Sequence, residues 1–416
     1  MNTAAGDDGR IDGWLEESAD QMVEMQRQLC ARPAVGPDNE GPGEMEKAIW
    51  LTGQLEAWGF PRPRYLPASD DRVEGGERPN YVYRIGGEGE GPATWVLTHL
   101  DVVPPGEPEL WTGDPWELRV DGDRLIGRGT EDNQQGLVSG VFAARSLLEA
   151  GIRPPRDVVL AFVADEETGS RYGAVHLMEE HRELFDDRDL LLIPDAGNED
   201  GSMIEVAEKS IAWIRFRVVG RQTHGSTPEE GINAHKAGAH LIVMLEGLYE
   251  DFPARDDLFD PPTSTFEPTL KKANVSNINT IPGEDVFAFD CRVLPDHDLD
   301  EVRSKVEAYV REVRSVFGVE VEIETPMWQR AAPPTPPDAP IVNALEEAVG
   351  AVYGVAARPM GIGGGTVAAF FRQAGLPAAV WSRMEDQAHQ PDEYCLLSNM
   401  VGDARVMARL FLREGA

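Results

Sequence analysis

The sequence predicts an α/β protein built on a mixed, mostly parallel sheet, with a smaller α+β domain inserted into it. Three observations carry that expectation. First, Thr94–His99, Asp157–Asp165 and Leu190–Pro194 are short Val/Ile/Leu-rich runs bounded by turn signals, as buried parallel strands are. Helical periodicity over Leu137–Leu148 falls between two of them, which is the βαβ signature. Second, the pattern changes near residue 208. Strand, helix, two strands, helix and strand then succeed one another, the β-α-β-β-α-β order of a ferredoxin-like domain. Third, the Pro-rich segment Pro333–Pro340 reads as a linker back to the first domain. The expected division is 1–207 and 327–416 for the larger domain and 208–326 for the insert.

Each element has its own signal. Trp14, Leu15, Met22, Met25 and Leu29 stand at helical spacing over 12–30, and a second helix over 44–57 stops at Gly59. Residues 61–93 are rich in Pro, Gly and charge, with one strand near Tyr81–Ile85 expected beside the Thr94–His99 strand. A helix over Tyr172–His181 comes after the Glu166–Glu167 pair. In the insert, strands are expected at Ile211–Val219, Val275–Ile281, Val286–Val293 and Val319–Ile323. Its helices are expected at Asn233–Tyr249 and Leu299–Phe317, with His224 in a loop. No internal repeat or low-complexity tract appears.

Composition narrows the function. The 416 residues suffice for two domains, and 41% hydrophobic content is ordinary for a globular chain. With 73 acidic and 38 basic residues the formal net charge is −35, and no basic cluster offsets it. Such a surface repels nucleic acid and anionic lipid, and neither is expected as a partner. Acids scattered along the whole chain, with Arg far commoner than Lys, read as solvation in a salt-rich, halophilic cytoplasm where screening removes self-repulsion. Cys30, Cys291 and Cys395 are far apart and form no Cys-x-x-Cys pair, which fits a reducing compartment. Met1–Asp20 is polar and acidic with no apolar signal core, and no apolar run approaches a membrane span, so a cytoplasmic location is expected.

The chemistry gathers where the strands end. In an open α/β sheet, sites form outside the carboxyl ends of strands. Here His99, Asp132, Glu167, Asp195 and His389 all succeed or flank such runs. Singly, each has a bland reading, since acids at strand ends often cap helices. Together, two imidazoles and three carboxylates suit two borderline cations such as Zn²⁺. With one carboxylate bridging, each cation has three protein ligands and room for water. Two dications against three carboxylates leave a net positive charge that favours a bound hydroxide. Asp101, two residues from His99, can accept the second ring N–H and fix the tautomer. Glu166, on the opposite side of an extended chain from Glu167, can serve as general base and acid.

His99-x-Asp101, Gly127-Arg-Gly-Thr-Glu-Asp132, Asp165-Glu-Glu-Thr-Gly169, Asp195 and His389-Gln-Pro-Asp-Glu393 together resemble the metal-site motifs of the M20 metallopeptidases. That family includes acetylornithine deacetylase, succinyl-diaminopimelate desuccinylase, aminoacylases and dipeptidases. The resemblance implies a zinc-hydrolase catalytic domain with an inserted lid or dimerisation domain. It implies that Asp132 bridges, that His99 and Asp195 complete one metal, that Glu167 and His389 complete the other, and that Glu166 is the base. Gly220-Arg-Gln-Thr-His224 resembles the segment whose histidine reaches a neighbouring active site across a dimer, where it stabilises the oxyanion. Asn279-Thr-Ile-Pro-Gly283 and Asp290-Cys-Arg292 resemble segments holding the substrate's carbonyl and free carboxylate, the latter suited to a planar guanidinium. Gly363-Gly-Gly365-Thr366 matches a substrate-carboxylate loop. Val367-Ala-Ala-Phe370 comes next, where desuccinylases carry Asp and Arg, and Glu208-Lys-Ser210 stands where they have Gly-Arg-Arg-Gly. With Asp rather than Glu at 195, these departures point away from succinyl-diaminopimelate.

The function expected from this sequence is hydrolysis of the amide bond of N-acyl-amino acids, a deacylase using two zinc ions per subunit and a metal-bound hydroxide. Co²⁺ or Mn²⁺ are the expected substitutes, and a homodimer through the lid domain is expected. The near alternative is a dipeptidase or carboxypeptidase of the same mechanism. An alternative of another class is a metal-dependent binding protein without catalysis, against which Glu166 stands, because a binding site needs no base. No Gly-x-Ser-x-Gly elbow and no P-loop lysine are present.

Overall fold

A computed structural model describes residues 4–89 and 91–413; Met1–Thr3 and the other residues outside those ranges are not described. The chain forms two compact units. The first comprises residues up to Val206, Pro334–Met360 and Thr366 onward; the second comprises Ala207–Pro333 with Gly361–Gly365. The short Gly-rich return into the second unit has no signal in the sequence reading, which ends the insert at 326.

The first unit is organised on an eight-stranded sheet. Its centre is parallel: Val158–Val163, Thr94–His99, Leu190–Asn198 and Ala378–Arg383 lie side by side in that order. Every residue of the Thr94–His99 and Val158–Val163 strands is buried, because helices or loops cover both faces. Tyr81–Ile85 pairs antiparallel with Val158–Val163 and not with Thr94–His99, which corrects the expected neighbour. The reason is the crossover through the helix Gln134–Ala150, which lays Val158–Val163 on that flank of Thr94–His99 and leaves Tyr81–Ile85 the next position out.

That helix sets the site geometry. Residues Gln134 to Leu147 are buried throughout, and the helix ends at Gly151 in the left-handed conformation (φ 64°) that glycine adopts without cost. Its first turn crosses the Leu190–Asn198 strand closely: a Cβ on Gly136 would lie 2.5 Å from the Pro194 carbonyl oxygen. Only glycine permits that approach, which brings the Asp132 loop beside Asp195. The expected helix over 12–30 is two helices, Ala4–Glu17 and Ala19–Cys30, broken at Ser18.

The second unit has the ferredoxin-like order. Its four-stranded antiparallel sheet runs Thr265–Lys271, Glu284–Val293, Ser210–Val219, Glu320–Gln329. In chain order the second strand of this sheet is Thr265–Lys271 rather than the expected Val275–Ile281. Pro268 hides it in the sequence; proline is tolerated there because the strand is an edge, with a register irregularity between Pro268 and Leu270. Glu284–Val293 alternates strictly, burying Asp285, Phe287, Phe289, Cys291 and Val293. Against them packs Leu299–Phe317, whose Leu299, Val302, Val306, Val310 and Val313 form one apolar stripe. Asp298 caps this helix by accepting the Asp300 amide, and Gly318 ends it. Each buried aromatic here contributes enough that Phe287→Ala should cost about 3–5 kcal/mol. Among the described residues no helix is long and apolar enough to cross a membrane.

Candidate metal centre

Five of the residues singled out in the sequence converge in the first unit. His99 closes its strand and is buried; its Nε2 lies 2.9 Å from Asp132 Oδ1 and 3.2 Å from Asp195 Oδ1. His389 Nε2 lies 3.2 Å from Asp132 Oδ2 and 3.1 Å from Glu167 Oε2. Ligand atoms of His99, Asp132 and Asp195 lie within 4.8 Å of one another, as do those of Asp132, Glu167 and His389. Asp132 thus turns one oxygen to each group.

Local structure aims each donor. Asp132 precedes the helix Gln134–Ala150, and a cis peptide bond joins it to Asn133. Asn133 Nδ2 donates to Asp195 Oδ1 (2.6 Å) and to the Pro194 carbonyl (2.8 Å), tying the bridging loop to the Asp195 strand. Glu166 and Glu167 sit in a short 3₁₀ turn, not on an extended chain, entered through Asp165 at φ 66°. Asp101 shapes this turn. Its Oδ1 accepts the Glu166 amide and its Oδ2 the Glu167 amide, each at 3.0 Å. His99 Nδ1 therefore bonds the Asp101 backbone carbonyl (3.0 Å), and the carboxylate, expected to take that N–H, is 3.5 Å away. Behind the turn, fully buried Arg78 pairs with Glu44 and reaches Asp70 (3.3 Å) and Asp165 (3.4 Å). Asp165 in turn accepts from Thr168 Oγ1 and the Tyr172 amide.

Burial and mutual repulsion raise the pKa of two acids at the centre. Burial pushes the Glu167 carboxyl up to about 7, with Asp132 adding to the rise. Burial, then Asp195, holds Glu166 well above the usual carboxylate range. Glu167 Oε1 is buried with no hydrogen-bond partner, an arrangement that costs stability unless something fills it. Burial works against a charge on His99, but Asp195 and the hydrogen bonds outweigh it and raise its pKa well above the usual value. Hydrogen bonds to Asp132 and Glu167 push His389 up to about 10. A donor set of N and O atoms with an orphaned buried carboxylate oxygen fits divalent cations.

The remaining singled-out residues divide between the units. In the second unit Thr223–His224 pairs with Thr280–Ile281, so His224 and Asn279 share one exposed ribbon. His224 Nδ1 contacts Ser226 Oγ at 2.8 Å, and the Gly225 amide donates to the Asn279 carbonyl. Arg292 turns its fork to Asp290 (2.6 and 3.0 Å) and donates to the Gly363 carbonyl. Gly365 closes the Gly-rich return of this unit. Thr366 belongs to the first unit, where its Oγ1 accepts the Ala368 amide. Sequence reasoning missed Glu44, Arg78 and Asn133, which carry no motif signal, and gave no role to Glu131, which stands inside the Gly127–Asp132 motif. Glu393 stood within a quoted motif without a role; it accepts from Arg128 and from the amides of Gly129, Glu131 and Asp132.

Residues 95–413 match Peptidase family M20/M25/M40, and the chain belongs to this family of metallohydrolases. An uncharacterized metallohydrolase of Methanococcus maripaludis is 35% identical over 414 residues, spanning 94% of this chain and 99% of the relative. A succinyl-diaminopimelate desuccinylase of Dinoroseobacter shibae is 27% identical over 375 residues, spanning 89% and 93%. Among solved structures, human carnosine dipeptidase 1 shares the fold at 15% identity with a TM-score of 0.77, covering 97% of this chain and 98% of that one.

Proposed function

We propose that this chain is a two-metal hydrolase that cleaves the amide bond of an N-acyl-amino acid. The observation that carries the reading is Asp132, which stands between two donor groups, each with one imidazole and one further acid. His99 and Asp195 would hold one ion with it, Glu167 and His389 the other; zinc suits the set, with cobalt or manganese as substitutes. When bound, such a pair polarises a carbonyl and acidifies a water.

The chain's own groups would do the rest. Glu166 takes the proton of the attacking water and returns it to the leaving amine as the C–N bond breaks. Asp101 holds the base and its neighbour in register through their amides. His224 would donate to the oxyanion, reaching the site of a second copy in a homodimer. Arg292, Asn279, Gly365 and Thr366 would bind the substrate's carboxylate and carbonyl, with Arg292 exchanging Asp290 for the substrate.

The residues just after Thr366 favour an N-acetyl over an N-succinyl group. Val367, Ala368 and Ala369 are buried core residues, so no charge there can meet a second carboxylate. Hydrolysis of N-acetyl, N-succinyl and dipeptide substrates by the metal-loaded protein tests this. Cleavage confined to the dipeptides, or to the N-succinyl compounds, would reject the N-acetyl reading. The charge of −35 supports a halophilic cytoplasmic enzyme. Melting temperature should then rise from low to molar KCl, since at 0.01 M salt repulsion acts over ~30 Å; an unchanged melting temperature removes that reading.

A further inference from the structure

The segment that presents His389 has no regular structure to hold it. From Met384 to Glu393 the backbone is neither helix nor strand, and Asp386, His389 and Asp392 all take left-handed φ values of 58°, 65° and 54°. Such values are uncommon for residues with a Cβ and persist where the surroundings impose them. After His389 the imposing contacts are Asp392, which accepts from Thr112 and Arg119, and Glu393, buried against Arg128. Before His389, the Met384 amide donates to the Asn198 carbonyl (3.3 Å), Asn399 Nδ2 reaches Glu385 Oε1 (3.5 Å), and Glu131 holds the residues between. Glu131 is 1% exposed, and its carboxylate spans the segment, with Oε1 accepting the Glu385 amide (2.5 Å) and Oε2 the Gln387 amide.

The two acids form a reciprocal clamp. Glu393, four residues beyond His389, accepts the amides of Glu131 (2.9 Å) and Asp132 (3.1 Å), while Glu131, next to Asp132, accepts amides of the segment leading to His389. Their targets differ. Glu393 bonds the amide of Asp132, which faces both donor groups. Among the described residues the Glu131 carboxylate bonds the His389 segment alone, so its side chain reaches one group and not the other.

We infer that Glu131 is a positioning residue that fixes the His389 segment, and so sets how tightly a cation is held by Asp132, Glu167 and His389 without setting its hold by His99, Asp132 and Asp195. The inference rests on the two-metal reading proposed above. A buried acid with a purely structural role would, if lost, loosen both groups or neither.

The test titrates Co²⁺ into chelator-treated full-length protein by calorimetry, with the visible spectrum of the bound ion as a second readout. Wild type should take up two equivalents. In Glu131→Gln, which keeps the size but sets an NH₂ group against a backbone donor, one equivalent should bind as in wild type. The other should weaken by roughly 10–100-fold, the usual effect of removing a group that orients a ligand. Glu393→Gln should weaken both equivalents. Should Glu131→Gln fail to fold, Glu131→Asp keeps the charge on a shorter arm and should show the same one-sided weakening. Equal weakening of both equivalents by the Glu131 variant, or of neither, overturns the clamp while leaving the two-metal reading intact. A wild-type chain that binds one equivalent overturns that reading, and this inference with it.

Discussion

His99 stands at the end of a fully buried parallel strand with its side chain 2% exposed, whereas His389 sits in an irregular segment with its side chain 56% exposed. Their acid partners divide the same way. Asp195 is carried by the neighbouring strand of the same sheet, and Glu167 by a 3₁₀ turn that Asp101 and the Arg78 network hold in place. One half of the centre is therefore mounted on backbone ladders, the other on side-chain hydrogen bonds. Preorganised donors bind a cation without first being ordered, so the two halves should differ in affinity although their donor types match.

The largest effect expected concerns the two neighbours in that turn. Glu166→Gln should leave both equivalents of metal in place and lower turnover by ~10²–10⁴. Glu167→Gln should instead release the ion on the His389 side. Metal loss in the first variant and retention in the second would show that the two glutamates have exchanged roles. Next in size, graded chelation of the loaded enzyme should remove one equivalent before the other, with affinities separated by roughly 10-fold or more. His389→Ala should abolish the weaker step and spare the stronger. Loss of both equivalents in one step breaks the comparison between the halves.

Both halves of the centre were read from the sequence, Glu167 and His389 through their motifs. His99, Asp195 and the Asp132 loop were legible because a short apolar run predicts a buried strand, and chemistry collects at its end. The parallel centre of the sheet and the ferredoxin-like order were legible for the same reason, through periodicity. What escaped was whatever depends on a contact distant in sequence. Glu131 sits inside the Gly127–Asp132 motif with no sign of what it contacts, and Glu44 looks like any other acid in a chain that has 73 of them. Only packing shows that the first spans the His389 segment and the second faces a buried arginine. Pro268 concealed an edge strand because local propensity carries no knowledge of which strand lies at the edge.

A smaller effect comes from the protons that stand in for metal. His389 holds its proton up to about 10 because Asp132 and Glu167 bond it, and an imidazole must lose that proton to ligate. The sign is then fixed: between pH 7 and 9 metal affinity on the His389 side should rise with pH, by about tenfold per unit for each proton released. Calorimetry in two buffers of different ionisation enthalpy reads the proton count directly. Binding that releases no proton would mean His389 is not a ligand. In the metal-free chain the same pair works the other way. Its contribution to stability is complete below the unfolded pKa of ~6.5 and is lost as pH rises through about 10.

The smallest expected signal is a partial return of activity, and it tests the exposed ribbon of the second unit against the buried centre of the first. His224 and Asn279 lie on or beside paired two-residue strands, with Ile278 next to them fully exposed. If His224 serves the site of a second copy, His224→Ala and Glu166→Gln should each be nearly inactive alone. Mixed under conditions that exchange subunits, they form hybrid dimers in which one site has both an intact base and an intact His224. Random pairing in a two-fold dimer places about a quarter of all sites in that state, so roughly that share of wild-type turnover should return. If His224 served its own chain, every site in the mixture would carry a lesion and the activity would stay at the level of the separate variants. Differently tagged chains, captured through one tag and probed for the other, establish that exchange has occurred. Exchange without recovery of activity would reject the trans role of His224 and leave the metal centre of the first unit unaffected.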